Sequence, residues 1–190
     1  MECPLILKAE PDSRPVSEDL RRMLMELAAL TDKLTVEWTP PSDGPERPCV
    51  RVLRADGTDT GIAFHGVPGG HEFNSFVVGL YNAAGPGQSI DPALAEAIAA
   101  IDRPLDLQIV VALSCTMCPE LVIAAQKIAA SNPLVTAKVY DVNHFPELRE
   151  RYKIMSVPCL IINKAQVAFG KKTLGQLLEL LAEPEAGQTG

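Results

Sequence analysis

Leu107-Gln-Ile-Val-Val-Ala-Leu113, then Ser114 and Cys115-Thr-Met-Cys118-Pro119, is the stretch that decides the fold. A short, nearly unbroken apolar run suits a strand buried on both faces of a parallel sheet. Two cysteines separated by two residues follow it, and Pro119 to Ser131 carries apolar residues at helical spacing. Proline is at home in a first helical turn, because the N–H it lacks would have no partner there. Strand, Cys-x-x-Cys and helix in this order point to thiol–disulfide exchange.

The placement has a physical reason. A helix N-terminus offers unsatisfied amides and a partial positive charge that stabilise a thiolate, so Cys115 is expected to be the exposed nucleophile. Cys118 lies about one turn further on, close enough to attack a mixed disulfide, and is expected to be the resolving thiol. One competing reading is a structural zinc site, since two thiolates at this spacing are half of a four-cysteine knuckle. The chain has no second such pair, which leaves Cys159 and His144 as the further donors. Another is a protein-binding module with a regulatory disulfide.

Outward from the motif, Pro92 to Ile101 reads as a helix ahead of the apolar run. After it, Leu134 to Asp141 reads as a strand and Phe145 to Tyr152 as a short helix. Cys159 to Asn163 and Val167 to Phe169 read as strands, and Leu174 to Leu181 as a last helix. Upstream, Leu5 to Ala9, Leu34 to Trp38, Cys49 to Leu53 and Gly61 to Phe64 read as strands, with helices over Val16 to Leu30 and Phe73 to Ala84. Each half has the order β-α-β, connection, β-β-α, and Gly85-Pro86-Gly87 marks the boundary. Arg47-Pro-Cys-Val50 with Ile62-Ala-Phe64 echoes Val157-Pro-Cys-Leu160 with Val167-Ala-Phe169, as duplication of one unit would. The expected fold is α/β with two tandem units, residues 1–86 and 87–190. Only the second carries a dithiol, because the first has Glu10-Pro-Asp-Ser13 where the pair would stand. The first half is expected to be scaffold or docking surface.

Val157-Pro158 opens the strand that follows the motif's βαβ unit. Its position, not its composition, leads to the expectation of a cis bond with Pro158 against the disulfide; Pro48 is the counterpart in the first half. A trans proline at a strand start is the plainer alternative. Cys159 stands where a small apolar residue is expected. It reads either as a buried inert thiol or as an auxiliary thiol acting on Cys118.

These stretches carry a resemblance. Ala28-Ala-Leu-Thr-Asp-Lys-Leu-Thr-Val36, Pro68 with Gly70-His-Glu-Phe73, Leu113-Ser-Cys-Thr-Met-Cys-Pro119, Asn132-Pro133 and Val157-Pro158 together span most of the chain. With them the chain resembles the N-terminal domain of the flavoprotein subunit of alkyl hydroperoxide reductases. The resemblance implies two contiguous thioredoxin-like folds with one dithiol. It implies electron transfer from a thioredoxin-reductase-like flavoprotein to a peroxiredoxin, with Cys115 and Cys118 as the redox pair. It also implies that Glu72 is an acid near that pair. The strand before the motif offers only Ile109, Val110 and Val111, so a proton acceptor for Cys118 has to come from elsewhere. Burial would raise the pKa of such a carboxyl toward the useful range. A glutamate that merely faces its own helix dipole is the alternative. His71 is expected to be a solvated or hydrogen-bonded neighbour and Met117 a contact surface.

The family's flavoprotein body needs dinucleotide-binding fingerprints, which this sequence lacks. FAD and NAD(P)H are therefore not expected to bind, nor is a metal, and the Cys115–Cys118 disulfide is the expected redox group. The chain is expected to be a stand-alone carrier fed by a separate reductase, or an excised domain. A net charge of −7 argues against nucleic acid or an acidic membrane surface as partner. Glu2, Glu10 and Asp12 surround the short apolar run Leu5 to Leu7, so neither a leader nor a membrane span is expected, and the expected location is cytoplasmic. Five cysteines in such a chain argue against a disulfide framework.

Overall fold

The structure, a computed structural model, describes residues 1–183; the end of the second half, 184–190, lies outside the described residues. The first half contains β1 (Leu5–Glu10), α1 (Val16–Ala28), β2 (Leu34–Trp38), β3 (Cys49–Arg54), β4 (Asp59–His65) and α2 (Glu72–Ala84). After α3 (Pro92–Ala99) the second half contains β5 (Leu105–Val111), α4 (Cys118–Ser131), β6 (Val135–Asp141), α5 (Pro146–Arg151), β7 (Cys159–Ile162), β8 (Gln166–Phe169) and α6 (Leu174–Ala182).

The strands form one sheet in the order β2-β1-β3-β4-β6-β5-β7-β8. β1 pairs parallel with β2 and antiparallel with β3, which pairs antiparallel with β4. β5 repeats that pattern with β6, β7 and β8. The two sets of four strands join through a parallel pair, with Ile62 of β4 opposite Ala137 of β6 and His65 opposite Tyr140. Successive strand residues point to opposite faces. Leu5, Leu7 and Ala9 of β1 therefore enter the main core, as do Leu107, Ile109 and Val111 of β5.

That core crosses the boundary at Gly85-Pro86-Gly87. Leu7 and Phe76 from the first half and Leu121 and Ile128 from the second belong to one buried cluster. α2 packs along α4, and its Phe76 and Leu80 are buried in the shared core. Each such side chain contributes roughly 1.5–3 kcal/mol when removed from water, against about 0–1 kcal/mol for an exposed ion pair. Apolar burial holds the halves together. On the opposite face a smaller cluster around Val110, Tyr140, Phe145, Ile154, Cys159 and Ile161 lies under α5 and its flanking loops.

Several boundaries differ from the sequence expectation for local reasons. β5 ends at Val111, because the Leu113 carbonyl accepts from the His71 amide at 3.0 Å instead of continuing the ladder. α2 begins at Glu72 and α4 at Cys118, one residue earlier than hydrophobic spacing alone shows. α4 stops at Asn132-Pro133. There the Asn132 side-chain amide donates to the carbonyls of Ile98 and Ile101 at 2.9 and 3.0 Å and ties the end of α3 to α4.

Candidate active site

β5 delivers the chain to the edge of the core, and Ala112 to Met117 turn it into α4. The Cys115 amide closes that turn on the Ala112 carbonyl at 2.9 Å. Pro119 lies in the first turn of α4, as its missing donor allows. Cys115 and Cys118 form a disulfide with 5.6 Å between their Cα atoms. The two sulfurs differ in access: Cys118 is fully buried in the main core, whereas Cys115 is half-buried and only packs against it.

The Val157–Pro158 bond is cis, and Cys115 Sγ lies 4.0 Å from the Val157 carbonyl oxygen. Arg47–Pro48 is also cis, as is Gly85–Pro86 in the boundary turn, which no feature of the sequence singled out. Cys159 follows Pro158 but belongs to the cluster on the other face of the sheet from Cys118. Burial pushes its thiol up to about 11. The geometry therefore separates Cys159 from the disulfide.

Glu72 is fully buried at the start of α2. Burial pushes its carboxyl up to about 7, against the opposing hydrogen bond from the Ser75 hydroxyl. Two contacts set its level along α4. Gly70 (φ 53°) lies against the Leu113 carbonyl so closely that a Cβ would collide with it, and Gly79 lies against Gln126. α2 and α4 thus run alongside in the same sense, and Glu72 stands level with the first turn of α4, where Cys118 sits. His71 is exposed, and its backbone amide holds Leu113.

Three exposed apolar side chains occur in the segments that converge here: Met117 in the motif, Met155 before the cis proline, and Phe73 beside Glu72. Met155, at 88% exposed, and Phe73 were missed in the sequence, although an apolar residue in a loop or at a helix start is the available signal. Ser75 and Gln126 were also missed. Gln126 is a polar residue on an otherwise apolar helix face, and Ser75 stands one turn after Glu72 on the same buried face. Among the described residues no group of three or more His, Cys, Asp and Glu is arranged to hold a metal ion, and His144 pairs instead with Asp141 at 3.8 Å. No described helix is long and apolar enough to cross a membrane.

Comparison with known proteins agrees with this geometry. Residues 105–182 match the family model described as a thioredoxin domain. The NTD_N/C domain of alkylhydroperoxide reductase AhpF from Enterococcus faecalis is 37% identical and superposes with a TM-score of 0.90, covering 96% of this chain and 92% of that one. An alkyl hydroperoxide reductase subunit of Pseudomonas aeruginosa is 32% identical over 97% of this chain, which covers 34% of that protein. A protein named NADH dehydrogenase from Ferdinandcohnia aciditolerans is 31% identical over 99% of this chain, which covers 36% of it. The chain thus spans about a third of the length of the curated relatives it matches. It belongs to the family of AhpF N-terminal domains and is a thiol–disulfide oxidoreductase of the thioredoxin class.

Proposed function

We propose that the chain is a dithiol relay, carrying electrons from a thioredoxin-reductase-like flavoprotein to the disulfide of a peroxiredoxin in a peroxide-reducing system. The observation that carries this reading is the asymmetric disulfide: Cys115 reaches the surface beside the cis Val157–Pro158 bond, while Cys118, the first residue of α4, is sealed in the core. The choice of donor and acceptor rests on the relatives named as alkyl hydroperoxide reductases.

In the loading half-cycle a donor thiolate attacks Cys115 Sγ, the Cys115–Cys118 bond breaks, and Cys118 leaves as a thiolate that takes a proton. A second donor thiol then displaces Cys115, leaving the donor oxidised and the pair reduced. In the unloading half-cycle the Cys115 thiolate attacks the acceptor disulfide. Cys118 loses its proton and attacks Cys115 Sγ, which reforms the internal disulfide and releases the acceptor as a dithiol. Glu72 holds the proton exchanged at Cys118, for which a carboxyl near pH 7 is suited. Pro158 forms the platform beside Cys115. Residues 1–86 and 87–190 are two tandem thioredoxin-like folds, the first supplying Glu72 and part of the docking face. Met117, Met155 and Phe73 supply the apolar contacts of that face.

The test is trapping. Cys118→Ser leaves the nucleophile without a resolver, so a stable mixed disulfide through Cys115 is expected to accumulate with a peroxiredoxin, while Cys115→Ser traps little. Mass spectrometry of non-reduced samples reads both. Adducts formed by Cys115→Ser and not by Cys118→Ser would reverse the roles. No flavoprotein-linked reduction of the intact disulfide would remove the proposed donor.

A further inference from the structure

The segment that leads into α2 meets the loop that leads into α4. The His71 amide donates to the Leu113 carbonyl at 3.0 Å. A Cβ on Gly70 would collide with that same oxygen and stand 3.1 Å from the Leu113 carbonyl carbon and Cβ, and a Cβ on Gly69 would stand 3.7 Å from Leu113 Cδ1. Three consecutive residues of the first half thus close around the residue two places before Cys115.

Two features set this contact apart from ordinary packing. The first amides of a helix have no partner within that helix, and the one at the N-cap of α2, His71, reaches across to the other half of the chain. Gly70 has φ 53°, a left-handed conformation that glycine adopts freely and other residues adopt at a cost. A side chain at position 70 is excluded twice, by its own backbone and by the Leu113 carbonyl.

The consequence for the dithiol follows from the chain between. The Leu113–Ser114 peptide is planar, so a carbonyl held by His71 fixes the whole unit. The Cys115 amide is held in turn by the Ala112 carbonyl at 2.9 Å. Ser114 is therefore fixed on both sides, which sets where the Cys115 sulfur stands before α4 and beside the Val157 carbonyl oxygen, 4.0 Å away. That placement governs reactivity, because the partial positive charge of a helix start acts only within about its first turn.

The structure assigns Gly70 a positioning role at Cys115: by leaving room for the Leu113 carbonyl against the His71 amide, it lets the first half hold the redox loop in the conformation that makes the sulfur reactive. This extends the part proposed for the first half. It rests on the dithiol chemistry, and on neither the proposed partners nor the acid role of Glu72.

The reduced full chain is treated with iodoacetamide across pH, and mass spectrometry follows the Cys115 peptide against that of Cys3, an exposed thiol whose backbone bonds to the far end of α2. Gly70→Ala alters no ionisable group, so the charges around the loop, Glu72 and His71 of α2 and Glu120 of α4 with Lys171, are common to both proteins. In Gly70→Ala the Cys115 midpoint is expected to rise by about half a pH unit, which slows alkylation below it about threefold. Gly61→Ala brings the same kind of collision, with the Val135 carbonyl, to a left-handed glycine of β4, and Gly57→Ala brings left-handed strain in open space. Both should lower stability and leave the Cys115 midpoint in place. Gly70→Ala should keep its effect in a Glu72→Gln background.

Should Gly70→Ala fail to fold, hydrogen exchange on the wild-type chain decides: the His71 amide is expected to be protected to the same degree as that of Cys115, as one opening unit. A Cys115 midpoint unmoved by Gly70→Ala, moved equally by Gly61→Ala, or moved only while Glu72 is intact overturns the proposal. A His71 amide that exchanges as freely as an open helix start does the same. The reagent needs no protein partner, so these measurements decide Gly70 whatever the donor and acceptor prove to be.

Discussion

The loop after β1 and the loop after β5 follow strands that pair in the same way, β1 with β2 and β3, β5 with β6 and β7, and each opens into a helix near a cis proline, yet they have opposite chemistry. After β5, the half-buried Cys115 sulfur faces the carbonyl of Val157, the residue before Pro158. After β1, the corresponding carbonyl belongs to Arg47, before Pro48, and it accepts from the Arg14 guanidinium. Arg14 also donates to the His144 carbonyl at 2.7 Å and to Asp12 at 2.6 Å. Asp12 in turn accepts from Ser17 at 2.7 Å. One half leaves a half-buried sulfur beside the Val157 carbonyl, and the other fills the corresponding place with the Arg14 side chain. Thiol chemistry needs an accessible sulfur, whereas a closed polar network adds stability and no reactivity. Cys49, which follows Pro48, shows the same contrast: it is fully buried, and burial with the nearby Glu10 carboxylate pushes its thiol up to about 12.

The most severe way to break this comparison is to delete residues 1–86. β6 then loses β4 as its neighbour and α4 loses α2, exposing an open sheet edge and the apolar contact around Phe76. The loss is expected to match the whole of a domain's stability, about 5–15 kcal/mol, leaving residues 87–190 without a cooperative thermal transition by circular dichroism. A sharp transition in that fragment would show that the second repeat folds on its own.

A smaller effect separates the two acids by sign. Glu72 is raised from its ordinary 4.5 to about 7 by burial, so its protonated form is the one the fold favours. Its contribution is complete below pH 4.5 and is lost as pH rises through 7, on the order of 3 kcal/mol. Urea unfolding of Glu72→Gln should lack this decline. Asp12 behaves oppositely. Burial pushes it up, but the bonds from Ser17 and Arg14 outweigh that and hold it below 3.8. Its contribution is present above 3.8 and is lost as pH falls through the lowered value. A Glu72→Gln stability curve parallel to the wild type would mean the carboxyl is not held in its protonated form.

Smallest is Arg14→Ala, which acts on the loop after β1 and on its contacts with His144 and Phe145. It strands the Arg47 and His144 carbonyls and leaves Asp12 with only the Ser17 hydroxyl and the residue-14 backbone amide, and roughly 2 kcal/mol of stability is expected to go. Disulfide exchange at Cys115 should be unchanged, because Arg14 touches nothing in the second repeat's site. A stopped-flow exchange rate that fell with this variant would show that the two loops are coupled.

The strands and helices were legible because their signals are local: alternation, helical spacing, Pro119 in a first turn. Leu34–Trp38 matches its expected bounds, and α4 shifts by one residue at its start. The Cys115–Cys118 pair was legible for the same reason, since two residues of spacing at a helix start bring the sulfurs together whatever surrounds them. Other features depend on contacts between segments remote in the chain. Arg14 reaches a carbonyl 130 residues away, and Gly79 on α2 makes room for Gln126 on α4. The Gly85-Pro86-Gly87 turn reads as a boundary in the sequence, but one core runs across it, because the β4–β6 pairing and the α2–α4 contact join the halves. The sequence by itself determined which residue types stand at the helix start and therefore which chemistry is present. The position of each cysteine at the helix start already pointed to Cys115 as the open one; only the tertiary structure decided which face Cys159 takes and how deeply Glu72 is buried, because desolvation is set by neighbours the local sequence does not contain.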